Sequence, residues 1–270
     1  ERNSRVWSFP LLNNFVICEY IITNQNTTPV TDVYAGFPNL IRPSYQDFVV
    51  HNGWGDDFNR TDEFVAYDST RSMMYSWDDT PNFSIPNDVG NFWEAAGELR
   101  TTGYAGLSFL YADPASDSRP QPSNVFWAQL LNNESFFTIQ SSNAQSLYNI
   151  LNGTDKTLQA NAGDHLTPFM LLSAGPYSLA PGASIKIVTA EAVNGIPLEK
   201  ALLGLSSQAL LPFGLDSLNK SIDRAKNLYL NNYQVSAVPP PSPEIEIYSL
   251  PSNQTIAATW SPVEDNWVNP

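Results

Sequence analysis

Five residues near the end of this chain, Pro239, Pro240, Pro241, Ser242 and Pro243, divide it. Proline fixes φ and carries no amide hydrogen, so neither a helix nor a central strand runs through such a stretch, and it reads as a stiff spacer. Beyond it, residues 244–250 and 255–260 read as two short strands about a turn at Pro251, Ser252 and Asn253, with Trp260 on the second. Residues 261–265 read as the loop that follows. Two strands alone bury too little surface to be stable in water. The tail is therefore expected to pair with strands of a neighbouring domain or subunit, and the chain reads as a segment of a longer multidomain protein.

Upstream of the spacer, short apolar runs alternate with turn residues. Residues 15–22 are apolar on both faces except at Glu19, the pattern of a central strand between two layers. A turn over 23–29 leads to a return strand over 30–37, and the two are expected to pair as a hairpin. Residues 64–67 and 72–77 flank a tight turn at Asp68, Ser69, Thr70 and Arg71. Residues 104–111 form another core strand, where Gly106 signals close backbone approach. Residues 166–173 and 184–193 are strands around a stretch rich in Gly and Pro. Residues 126–131 and 136–139 suit short strands and an irregular helix equally.

The character then changes. Leu198, Ala201, Leu202, Leu205 and Ala209 share one helical face, and so do Leu218, Ile222, Ala225 and Tyr229. Pro212 is expected to end the first helix and Asp216 to cap the second. The fold class is mostly β: an antiparallel β-sandwich with two C-terminal amphipathic helices over 1–238, a Pro-rich linker over 239–243, and an incomplete β segment over 244–270.

Thirteen basic residues against 27 acidic ones give a net charge of −14, which repels polyphosphates and anionic membranes and argues against nucleic-acid binding. No apolar run is long enough to span a bilayer, and residues 1–3 do not open a signal peptide. The single cysteine, Cys18, has no intrachain disulfide partner and reads as a small buried hydrophobe.

Signals of catalysis are sparse. His51 and His165 are far apart and do not make a zinc site with one cysteine. A Gly-x-Ser-x-Gly elbow and the glycine-rich phosphate loops do not occur. No catalytic residue is assigned, and the chain is read as a non-enzyme. Asp56, Asp57, Asp62 and Asp68 offer oxygen ligands on irregular segments and are the candidate site for a structural calcium ion, against the competing reading that they cap turns. Trp54 and Trp93, in loops rich in Gly and Asn, are candidate sugar-stacking platforms, although aromatic residues at this density commonly build the core. Asn26, Asn152 and Asn253 head Asn-x-Ser/Thr triplets in turns and are candidate glycosylation acceptors in a secretory setting.

Several pieces of the chain resemble a module of large secreted or cell-surface bacterial proteins. They are Phe15-Val-Ile-Cys-Glu-Tyr-Ile-Ile-Thr-Asn24 with Val33-Tyr-Ala-Gly36, and Phe64-Val-Ala-Tyr-Asp68 leading to Met74-Tyr-Ser-Trp77. Tyr104-Ala-Gly-Leu-Ser-Phe-Leu110 and Ala174-Gly-Pro-Tyr-Ser-Leu-Ala-Pro-Gly182 complete the set. The resemblance implies a β-sandwich followed by a Pro-rich linker and a fibronectin type III domain, whose opening residues 256–263 resemble. It implies an extracellular or cell-surface location rather than an activity. The expected function is a structural or adhesive module, such as a subunit of an extracellular filament or surface layer. A carbohydrate-binding module is the alternative, and a fragment of a secreted hydrolase the third reading.

Overall fold

The computed structural model describes residues 1–41, 43, 63–78, 92–93, 98–99, 103–129, 144–157, 159–161, 168–201, 203, 205, 207–235, 245–250 and 255–260. In chain order the strands are β1 (Arg2–Arg5), β2 (Phe15–Thr23), β3 (Val30–Asn39), β4 (Glu63–Asp68), β5 (Met73–Asp78), β6 (Phe92–Trp93), β7 (Glu98–Leu99), β8 (Gly103–Ala112) and β9 (Asn124–Gln129). After helix α1 (Ala144–Leu151) come β10 (Pro168–Leu179), β11 (Ser184–Gly195), helices α2 (Leu198–Ala201) and α3 (Ser207–Leu230), then β12 (Ile245–Leu250) and β13 (Thr255–Trp260). The chain divides into two compact units, Glu1–Tyr229 and Leu230–Pro270.

The first unit is built on antiparallel sheets. A six-stranded sheet has the order β1-β2-β11-β8-β5-β4, and a three-stranded sheet the order β3-β10-β9. Side chains alternate between the two faces of each strand, so one register fixes both faces. Ile185, Ile187, Leu107, Phe109, Met74 and Val65 of the larger sheet join Met170, Leu172, Ala174, Tyr177 and Leu179 of β10 in one buried cluster. On the smaller sheet Phe126, Ala128, Phe169 and Leu171 pack with Ile150, Leu147 and Leu151 around α1.

The opposite face of the larger sheet meets α3. Leu218, Ile222 and Ala225, three positions read from the sequence as one helical face, are buried together with Leu210 and Leu228. Ser221 Oγ accepts hydrogen bonds from Asn14 Nδ2 (2.6 Å) and Asn194 Nδ2 (2.8 Å) and donates to Ser217 O (3.0 Å). The Tyr104 hydroxyl donates to Leu211 O at 3.1 Å. Its ring lies so close to Gly214 that a Cβ there would collide with it.

Four features differ from the sequence expectation or decide between alternatives it left open. β2 and β3 do not form a hairpin: β2 pairs with β1 and β11, whereas β3 pairs with β10 in the other sheet. The reason sits at Asn24, which is buried and donates through Nδ2 to Thr28 O and Leu179 O, both at 2.9 Å. That clamp turns the chain from one sheet into the other, and the β10–β11 connection crosses beside it through Asn24 N to Ala183 O. Secondly, α3 runs through Pro212 instead of starting at Asp216. An interior proline costs about 3 kcal/mol, and the buried stripe of Leu210, Leu218, Ile222 and Ala225 offsets it, with Pro212 itself on the solvent-exposed side. Thirdly, residues 124–129 are a strand, paired with β10. Fourthly, α1 and the short β6–β7 pair occupy stretches to which the sequence pattern assigned no elements.

In the second unit β12 and β13 pair antiparallel from Ile245↔Trp260 to Leu250↔Thr255, as a two-stranded sheet of their own. No helix among the described residues is long and apolar enough to cross a membrane.

Candidate binding cleft

Among the described residues β3 is the outer strand of its sheet and pairs with β10 alone. Beside it a cleft of about 410 Å³ opens, lined by Tyr20 and Ile22 of β2, residues 35–39 of β3, Leu107 of β8 and Glu191 of β11. Successive strand residues point to opposite faces. Of the consecutive residues 35–39, Ala35 and Phe37 therefore turn their side chains towards the core side of the cleft, and their neighbours point away from it.

The register explains why the other lining residues converge. Tyr20 stands opposite Ile187, Ile22 opposite Ile185, and Leu107 opposite Glu191, all on the face turned towards the smaller sheet. The Tyr20 ring meets Phe37 edge-on with centroids 5.0 Å apart. The Arg2 guanidinium sits over the Tyr20 ring, 5.6 Å from its centroid, within reach of a cation–π attraction. Arg2 Nη2 also donates to Cys18 Sγ at 3.4 Å, and Ser4 Oγ lies 3.5 Å from the same sulfur. Burial and the neighbouring Cys18 push the Tyr20 hydroxyl above its ordinary value, against the pull of Arg2. At neutral pH Tyr20 is therefore a hydrogen-bonding phenol rather than a phenolate.

Chemically, the cleft offers an apolar floor (Ile22, Leu107, Phe37), a backbone edge, a carboxylate at Glu191 and the phenol of Tyr20. Such a set suits an extended chain laid beside β3, with main-chain hydrogen bonds giving affinity and alternate side chains entering the cleft.

The residues singled out from the sequence fall elsewhere. Asp68 ends β4, where Oδ1 accepts from Thr70 N (2.8 Å) and Thr70 Oγ1 (2.5 Å) and Oδ2 accepts from Arg71 Nη1 (2.8 Å). Burial pushes its carboxyl up, but the Thr70 and Arg71 hydrogen bonds outweigh that and hold it below the ordinary value. Arg71 in turn grips both oxygens of Asp223 on α3 at 2.9 Å, so Asp68 serves a turn-to-helix tie. Asp56, Asp57, Asp62, Trp54 and Asn253 lie outside the described residues. Among the described residues no three His, Cys, Asp or Glu side chains are grouped to hold a metal ion. Trp93 is in β6 opposite Glu98 of β7. Asn26 is exposed in the turn after β2, its backbone N–H donating to Asn24 Oδ1. Asn152 follows α1, its Oδ1 accepting from Thr154 N (2.9 Å) and Thr154 Oγ1 (2.7 Å).

Arg2, Tyr20 and Glu191 were not anticipated. One signal was available: Ile185, Ile187, Thr189 and Glu191 alternate along β11, so a carboxylate occupies an inward position of an otherwise uncharged row. No family model matches this chain, and no significant relative is found among curated proteins.

Proposed function

We propose that this chain is a non-enzymatic structural or adhesive module of a secreted or cell-surface multidomain protein. In this reading the two sheets of the first unit make an antiparallel sandwich, residues 239–243 are the linker, and residues 244–270 belong to a fibronectin type III-like segment. The observation that carries it is the β12–β13 hairpin, which among the described residues pairs only with itself. Such a hairpin is marginal in water and is stabilised by a third strand. A neighbouring domain or subunit supplies that strand by β-augmentation, as in a filament or surface layer. β3, the outer strand of its sheet among the described residues, favours the same mode of contact.

Sedimentation velocity of the full chain over a range of concentrations tests this reading, with Ala257→Pro in β13 as the comparison. That substitution removes one amide hydrogen from a strand edge. The expected result is reversible association that grows with concentration and weakens in the variant. A chain that stays monomeric throughout contradicts the reading, as does association that the variant leaves unchanged.

A further inference from the structure

The strand β1 differs from every other strand of the six-stranded sheet. All four of its residues are exposed, and among the described residues it pairs with β2 alone, through the register Arg2↔Tyr20 to Arg5↔Ile17. What holds it is a backbone ladder and a few side-chain contacts at its margins. Arg5 reaches Glu19 at 3.2 Å while remaining 42% exposed, and Arg2 and Ser4 touch Cys18. Beneath it Cys18 is completely buried.

The connection to β2 adds a second observation. Residues 6–14 carry Val6, Phe9 and Leu11 at 73%, 55% and 43% exposure, an unusual run of large apolar side chains in water. Leu11 also holds a φ of 70°, a left-handed conformation that a branched residue adopts only under strain. Extended, these nine residues span about 30 Å, far enough to carry β1 to another molecule.

We propose that β1 is an exchangeable strand: it leaves its own β2 and pairs with β2 of a second copy of this chain, which returns its own β1. The acceptor surface is known in detail because the chain already fills it, so a second copy's β1 finds the same ladder, the same Glu19 and the same Tyr20 ring. Charge favours this occupant. Arg2–Arg5 carries two arginines and no acid, whereas the chain as a whole bears −14, so the exchanged strand is a basic arm on an acidic molecule. Reciprocal exchange closes into a two-fold dimer. It exposes no new edge and straightens the strained connection. The inference stands apart from the proposed adhesive role, since it concerns β1 and not the β12–β13 hairpin that carries that reading.

Mixing two chains tests it. One carries Ser4→Cys together with Cys18→Ser, and the other is unaltered. In the closed monomer the Ser4 and Cys18 positions face each other across the β1–β2 ladder. In the mixture the introduced thiol and Cys18 are on different molecules, and Cys18 is fully buried in contact with Arg2 and Ser4 of its own β1. After incubation at high concentration and mild oxidation, the expected product is a mixed disulfide joining the two chains, rising in yield with concentration and mapped by peptide mass spectrometry. If only monomers form, or only disulfides between two introduced thiols, the proposal is overturned. A measurement on the unaltered chain guards against a variant that misfolds. Cys18 should react with a thiol reagent through local opening, at a rate that hardly changes at low urea. Reaction only as fast as global unfolding, with the steep urea dependence of unfolding, overturns the proposal as well.

Discussion

The two faces of the six-stranded sheet are closed to very different degrees. On one, α3 lies across the strands with Leu218, Ile222 and Ala225 buried, Ser221 shared between Asn14 and Asn194, and Arg71 bound to Asp223. On the other, the three-stranded sheet covers the centre but leaves a cleft between β3 and the β2 side, with Glu191 and Tyr20 in its lining. Both faces belong to the same strands, so strand propensity does not account for the contrast. The difference lies in what covers them: a helix with an interlocking polar seam, or a sheet whose outer strand β3 pairs, among the described residues, on one edge only. The polar seam and the buried helix stripe lie on the first side, and the proposed contact with other chains belongs to the second.

The largest effect is expected at the helix seam. Ile222→Ala removes a side chain that is only 1% exposed, and a buried truncation of this kind costs about 2–5 kcal/mol. Urea denaturation should show a large fall in midpoint; a loss below about 1 kcal/mol would break the contrast. Ser221→Ala comes next. It leaves Asn14 and Asn194 without their shared acceptor, and losing a buried partner costs about 1–3 kcal/mol.

A smaller effect is expected at the Asp68–Arg71–Asp223 tie. The Asp68 carboxyl is held below its ordinary value, so its contribution is complete above the unfolded carboxylate range, near pH 4, and is lost as pH falls through the depressed folded value. Solvent screening limits it to about 1 kcal/mol or less. The stability gap between the parent chain and Asp68→Asn should therefore shrink on acidification below about pH 4. A gap that widens in acid would mean that Asp68 is paired differently.

The smallest effect is expected in the cleft. Glu191→Gln keeps the shape and removes the charge, and its stability change should stay within about 0.5 kcal/mol. A larger loss would place Glu191 among the structural residues and not in a binding surface.

The sequence carried much of the first side and little of the second. Strand periodicity located β2, β8 and β11, and the spacing of Leu218, Ile222 and Ala225 identified the buried stripe of α3. Those are local signals, set by the geometry of one element. The pairing of β2 with β11, 161 residues away at Thr23 and Ser184, is a tertiary fact, and a turn rich in Asn and Thr suggested a hairpin instead. The buried amide of Asn24 was the deciding residue, and nothing in its neighbours announces that it bonds to Leu179 O. Pro212 misled for the opposite reason: a local rule against proline gave way to burial along the rest of the helix. The cleft was unreadable because Tyr20, Phe37 and Glu191 meet only once both sheets are in place. Only the inward position of Glu191 left a trace.

Native-state hydrogen exchange resolved by residue, at low and at high protein concentration, tests the contrast most directly. The account predicts that amides of β8 and β11 exchange only through global unfolding at both concentrations. Those of β1 and the outer edge of β3 should exchange through local opening when dilute and become protected when concentrated. Protection of β1 and β3 equal to that of β11, and indifferent to concentration, would contradict it.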